Sequence, residues 1–109
     1  MLLGNSKPLF PLVKLLPWRK NKLFDKDTAL VIDGFQRSGN SFFYSVVKHA
    51  NSDLKISIHT HSSINAIKSI RSGVPVSITL RHPLDVIKSL LVWDERLSVS
   101  IALRCYIRY

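Results

Sequence analysis

The sequence has little cysteine, little glycine and few acidic residues. Its 109 residues include one cysteine and four glycines, and 7 acidic residues stand against 16 lysines and arginines. A single cysteine excludes a disulfide within the chain, and no spacing of Cys and His is typical of a structural zinc site. Apolar residues make up 46% of the chain, which is typical of a domain that folds around one core. We therefore expect a folded cytoplasmic protein without a metal.

The N-terminal part also lacks an apolar run of the roughly 20 residues that a membrane-spanning helix needs. Its run from Leu9 to Leu16 is interrupted by Pro11 and Lys14. Residues 1–24 contain no acidic residue, and we interpret them as a basic, proline-containing arm that packs at the edge of the fold. The alternative is peripheral contact with a membrane surface through apolar side chains beside cations: Leu12, Leu15, Leu16 and Trp18 next to Arg19, Lys20 and Lys22.

From residue 25 onward, short β-rich runs alternate with helical ones. Residues 28–33, 55–59 and 74–80 have the pattern of strands, whereas 40–50, 63–73, the stretch from 84 and 97–109 have helical spacing. We expect Asn40 or Ser41 to cap the first helix, Ser62 or Ser63 the second, and Pro83 to lie in the first turn of the third. This alternation predicts an α/β fold with a P-loop-type parallel sheet covered by helices on both faces.

The loop between the first strand and the first helix has the spacing of a phosphate-binding loop. Gly34 and Gly39 are five residues apart, and the hydroxyl of Ser41 follows. Glycines let backbone N–H groups converge on an anion, and the helix N-terminus adds positive charge. Asn40 stands where nucleoside triphosphatases carry lysine, so an ATPase is disfavoured, and Arg37 supplies the cation instead. The alternative is a tight turn without a ligand.

A second candidate anion site follows the third strand. Arg81 is expected to leave the carboxyl end of a buried strand, and Ser89 falls two turns into the next helix. Ligands of open α/β sheets bind at the carboxyl ends of strands, where an arginine can grip a phosphate with two N–H groups. The alternative is an arginine cap beside a surface serine.

Together these two motifs resemble the sulfotransferases that use 3′-phosphoadenosine 5′-phosphosulfate (PAPS). The resemblance covers residues 28–109 and depends on a strand, a loop of Arg-Ser-Gly-Asn-Ser, a helix, and a later strand running into Arg-x-Pro with a serine eight residues after the arginine. It implies that PAPS is the cofactor and that the acceptor is a hydroxyl-bearing small molecule or carbohydrate. By resemblance, Arg37, Ser38, Gly39, Asn40 and Ser41 bind the 5′-phosphosulfate end, and Arg81 and Ser89 bind the 3′-phosphate.

The resemblance also implies a catalytic histidine at the end of the middle strand. His61 matches that position best, and His59 remains the alternative. The histidine deprotonates the acceptor hydroxyl as it attacks sulfur, while Arg37 stabilises the bridging oxygen of the leaving phosphate. A metal pair of His59 and His61 is disfavoured, because the sequence offers no third ligand.

Members of this family are longer and carry a later basic, glycine-containing segment. We therefore expect residues 25–109 to be the N-terminal part of a three-layer α/β/α sulfotransferase domain. Two alternatives stay open: an inactive fragment that binds a nucleotide bisphosphate, or a basic protein that contacts a membrane or nucleic acid through its arm. We do not expect nucleic acid as a partner, because basic residues after 25 are scattered and lack a stacking platform.

Overall fold

A computed structural model describes residues 23–109 of the chain. Within that range three parallel strands alternate with helices, which confirms the predicted α/β class. The elements are β1 (Leu30–Asp33), α1 (Asn40–Ala50), β2 (Ile56–Ile58), α2 (Ser63–Arg71), β3 (Val76–Ile78), α3 (Pro83–Trp93) and α4 (Val99–Arg108). Residues 1–22, most of the predicted arm, lie outside the described residues.

Strand β1 lies in the centre of the sheet, whose strand order is β2-β1-β3. Leu30 pairs with Ile56 of β2, and Val31 pairs with Val76 of β3, in parallel register on both sides. Val31 and Ile32 are fully buried, as the continuous apolar pattern of β1 predicts. The carboxyl ends of all three strands therefore meet at one edge of the sheet.

The larger core cluster surrounds the first residues after β1. Phe35 is buried together with Val86, Ile87 and Leu90 of α3 and Ala102 of α4. Its ring makes edge-to-face contacts with Tyr106 and Tyr109, whose ring centroids lie 5.1 and 5.7 Å away. A smaller cluster joins Leu23 to Ile64 of α2. The last two helices thus hold the loop that follows β1.

Two of the predicted helix starts are confirmed and one is wrong. The hydroxyl of Ser62 caps α2 by accepting from the Asn65 N–H, and Pro83 lies in the first turn of α3. The prediction that Asn40 or Ser41 caps α1 fails, because Gly39 is the N-cap residue and no side chain caps this helix. Gly39 has φ +92°, a left-handed conformation that residues with a Cβ rarely adopt.

The prediction that Arg81 leaves a buried strand is also wrong. Among residues 23–109, β3 pairs with β1 alone, so it forms an edge of the sheet. Its last residue, Ile78, is 44% exposed. An apolar run of this length is compatible with either a central or an edge strand, and only the pairing partners distinguish the two.

Candidate functional site

The loop from residue 34 to residue 41 forms the floor of the candidate site. A Cβ on Gly34 would lie within 3.0 Å of Thr79 and of Asn40 Oδ1, so only glycine fits between this loop and the end of β3. The turn ends at Gly39, where α1 begins. The first N–H groups of a helix have no acceptor within that helix. The loop and the start of α1 therefore present backbone donors where the carboxyl ends of the strands meet.

Asn40 braces this loop from inside. Its side-chain amide is buried and donates to the carbonyl oxygen of Gly34 at 3.1 Å, while its Oδ1 accepts from the hydroxyl of Thr79. A lysine here would have no carboxylate to pair with in these contacts and would bring a charge into the packed turn. The amide therefore has a structural role at the position where nucleoside triphosphatases use a cation.

The two predicted anion-binding motifs meet in space. Arg37 donates from Nε to the Ser89 hydroxyl at 3.0 Å, and an Arg81 guanidinium nitrogen donates to the Arg37 carbonyl oxygen at 3.1 Å. Both arginines are exposed, and Ser89 is half-buried. Arg37 has φ +65°, a left-handed conformation that residues with a Cβ rarely adopt. Arg37 therefore contacts Arg81, 44 residues later, and Ser89, 52 residues later, and the two arginines form one cationic cluster.

Two adjoining clefts open at this cluster, and Arg37, Arg81 and Trp93 line both of them. The first has a volume of about 450 Å³ and also contacts the loop, with lining residues that include Asn40, Ser41, His59 and His61. The second, of about 580 Å³, extends along α3 past Asp85, Lys88 and Ser89. Ser38 is not among the described residues that line either cleft.

Trp93 and Lys88 were missed by the sequence analysis. Trp93 is 63% exposed although it is a large apolar side chain, and it stands at the border between the clefts. The only signal in the sequence is its spacing, since positions 85, 88, 89, 92 and 93 share one side of a helix that begins at Pro83. That spacing predicts a common side but not that the side faces a cleft.

The two histidines line the first cleft and contact the loop that forms its floor. His59 and His61 have φ +61° and +44°, and their ring centroids are 5.9 Å apart. His59 Nε2 lies 3.4 Å from the Ser41 hydroxyl. His61 Nδ1 lies 3.0 Å from the carbonyl oxygen of Gly34. Because a carbonyl only accepts, Nδ1 carries the proton and Nε2 of a neutral His61 keeps its lone pair.

Asp33, at the end of β1, is the functional candidate that sequence analysis missed altogether. Its carboxylate is fully buried and accepts hydrogen bonds from Gly34 N–H at 2.8 Å and from the Tyr109 hydroxyl at 3.2 Å. Burial and the nearby negative charge of Asp33 raise the pKa of the Tyr109 phenol above its ordinary value of 10.0. Tyr109 therefore remains a hydrogen-bond donor at neutral pH. Its position, 76 residues from Asp33, gives no local sequence signal.

Among residues 23–109 no cluster of three or more His, Cys, Asp or Glu side chains is arranged to hold a metal ion. In the same part of the chain, no helix has the length and apolarity needed to cross a membrane. No family model, no curated protein and no solved structure matches the sequence or the fold of this chain. The geometry of the clefts and the resemblance of their motifs are therefore the basis for a function.

Proposed function

We propose that the two clefts bind PAPS and that the protein is a sulfotransferase acting on a hydroxyl acceptor. The observation that carries this proposal is the convergence of Arg37, Arg81 and Ser89 beside the loop at the N-terminus of α1. A donor with phosphate groups at the 3′ and 5′ positions of one ribose needs two neighbouring anion sites. Two adjoining clefts that share both arginines fit that requirement.

The donor set also fits the chemistry of the phosphosulfate group. Backbone N–H groups of the loop, the Ser41 hydroxyl and the Arg37 guanidinium are all hydrogen-bond donors, and each lines or borders the first cleft. PAPS bound there would supply a sulfuryl group to the acceptor oxygen, with the bond between sulfur and the 5′-phosphate oxygen broken in exchange. The Arg37 guanidinium would stabilise the negative charge left on that phosphate oxygen.

His61 supplies the base in this proposal. Its Nδ1 proton is held by the Gly34 carbonyl, so Nε2 is the atom that accepts the acceptor's proton. His61 lines the same cleft as Arg37, which supports the proposal that the two side chains act on one bound substrate. His59 lies against Ser41 in that cleft and interacts with the loop. These contacts favour His61 as the base, because the Ser41 contact involves Nε2 of His59 whereas the Gly34 contact involves Nδ1 of His61.

The test is calorimetric titration of the purified full chain with adenosine 3′,5′-bisphosphate, the product that carries both phosphates. We expect saturable binding that is tighter than binding of ATP with magnesium, because Asn40 replaces the lysine of ATP-binding loops. Arg81→Ala removes one charged donor and should weaken binding about 10- to 100-fold.

Arg71→Ala is the matched control, since Arg71 is an exposed arginine at the far end of α2, before β3. It removes the same charge and should leave affinity within about twofold, as expected for a surface site away from the ligand. A folded wild-type chain that does not bind the bisphosphate would refute the proposal. Equal losses of affinity in the two arginine variants would show that the bisphosphate is held only by general charge attraction.

A further inference from the structure

Asp33 joins three separate parts of the chain at the carboxyl end of β1. One carboxylate oxygen accepts from Gly34 N–H and from the Tyr109 hydroxyl. The other accepts from the Thr60 hydroxyl and, at 3.4 Å, from the Ser62 N–H. The carboxylate therefore connects Gly34 of the loop and Tyr109, the residue that follows α4, to the segment that carries both histidines.

The histidine segment, residues 59–62, is held in an unfavourable backbone conformation. Both His59 and His61 have positive φ angles, which side chains with a Cβ rarely adopt. Such conformations persist only where surrounding contacts fix them. Thr60, between the two histidines, and Ser62, after them, are the residues of this segment that Asp33 binds, and both are buried. Asp33 is thus bonded on each side of His61.

The carboxyl group is suited to this role because it is fully buried and accepts four hydrogen bonds. Within residues 23–109 no lysine or arginine forms an ion pair with Asp33, so its polar partners are hydrogen-bond donors. A donor that turned away from Asp33 would leave a buried polar group with fewer partners, which penalises movement of the histidine segment.

We propose that Asp33 is a positioning residue that fixes His61 through Thr60 and Ser62. The orientation of His61 depends on one further bond, from Nδ1 to the Gly34 carbonyl, and Gly34 is itself bonded to Asp33 through its N–H. Asp33 therefore fixes both the segment that carries the imidazole and Gly34, whose carbonyl oxygen accepts the hydrogen bond from Nδ1. The catalytic meaning of this role rests on the proposed function, in which Nε2 of His61 takes the proton of the acceptor hydroxyl.

The experiment compares Thr60→Val with Thr60→Ser by NMR of the ¹⁵N-labelled full chain without any nucleotide. Valine keeps the shape of threonine and removes the hydroxyl, whereas serine keeps the donor to Asp33. We expect neutral His61 in the wild type and in Thr60→Ser to be protonated at Nδ1. In Thr60→Val the ratio of this tautomer to the other should fall about fivefold, the change expected for one net hydrogen bond.

Asp33→Asn tests the same link directly, and Asp27→Asn is its control because Asp27 is exposed. The first should repeat the change at His61, and the second should not. If either Asp33→Asn or Thr60→Val fails to fold, hydrogen exchange of the wild-type protein tests the link instead. The proposal requires the Ser62 N–H to be protected from exchange with solvent, because it donates to Asp33. A folded Thr60→Val with the wild-type tautomer ratio, or an unprotected Ser62 N–H, would overturn the proposal.

Bisphosphate affinity separates this inference from the proposed function. Arg37 and Arg81 bond to Ser89 and to each other rather than to the histidine segment, so Thr60→Val should bind the bisphosphate within about twofold of the wild type. Failure of the wild type to bind would refute the sulfotransferase proposal while the His61 response still reports the link to Asp33. A response at His61 accompanied by a large loss of affinity would instead indicate general loosening of the site and count against a specific positioning role.

Discussion

The buried base and the exposed rim of the candidate site, in the spatial sense of bottom and edge, differ in how their residues are held. At the base, Asp33, Gly34, Phe35 and Asn40 are buried and fixed by contacts with Thr79, Thr60 and the last two helices. At the rim, Arg37 and Arg81 are exposed and form hydrogen bonds to Ser89 and to a backbone carbonyl. The base supplies a fixed shape, and the rim supplies charge.

This contrast indicates where affinity and where stability reside. Exposed charges are weakened by solvent, so a single rim arginine contributes little to the free energy of unfolding. It contributes to ligand binding, because a bound anion pairs with both arginines together. Base residues contribute to stability first and to binding only through the shape that they maintain. Substitutions in the two regions should therefore separate stability from affinity.

The largest effect is expected for Phe35→Ala at the base. This change removes a buried ring that packs against α3 and against Tyr106 and Tyr109, so we expect the free energy of unfolding to fall by about 3 to 5 kcal/mol. Urea unfolding measures the loss. Phe42→Ala is the control, because Phe42 is 75% exposed and its removal should cost less than about 0.5 kcal/mol.

Equal losses in the two phenylalanine variants would contradict the packing of Phe35 at the base. If Phe35→Ala leaves no folded protein, Phe35→Leu provides the measurement, since leucine fills part of the space but makes no aromatic edge contacts. Its expected cost is about 1 to 2 kcal/mol, from imperfect packing and the lost ring pairs.

Gly34→Ala should have the next largest effect. The new Cβ would lie within 3.0 Å of the Thr79 backbone and of Asn40 Oδ1, so β3 and the loop must separate. We expect a loss of about 2 to 3 kcal/mol in unfolding free energy, typical of overpacking. Gly73→Ala is the matched control because its Cβ meets open space, although φ is +77°, and it should cost about 1 to 2 kcal/mol for backbone strain alone. A smaller loss for Gly34→Ala than for Gly73→Ala would contradict the close approach.

The rim was more predictable from sequence than the base. Arg37 and Ser41, and then Arg81 and Ser89, are recognisable because motif spacing and an α/β pattern bring the carboxyl ends of parallel strands together. The bounds of α1 at Asn40–Ala50 were predicted as observed, because helical spacing and the loop before it agree. These are local signals.

The base depends on contacts that no local pattern contains. Asp33 and Tyr109 are 76 residues apart, and Asn40 and Thr79 are 39 residues apart. An aspartate after an apolar run predicts the end of a strand equally well whether it faces solvent or the interior. The predictions of a buried third strand and of an Asn40 or Ser41 cap were wrong for the same reason: strand order and loop conformation are set by tertiary packing.

The smallest expected effect is that of Ser89→Ala, and it distinguishes a ligand group from a support at the rim. Ser89 accepts from Arg37 Nε, so its loss removes one hydrogen bond without removing charge. We expect adenosine 3′,5′-bisphosphate to bind about three- to tenfold more weakly in calorimetry, and the unfolding free energy to change by less than about 0.5 kcal/mol. Ser100→Ala, at an exposed helical serine in α4, should change neither quantity. A loss of stability without a loss of affinity would assign Ser89 to the base, because only a packed residue acts through the fold and not through the ligand.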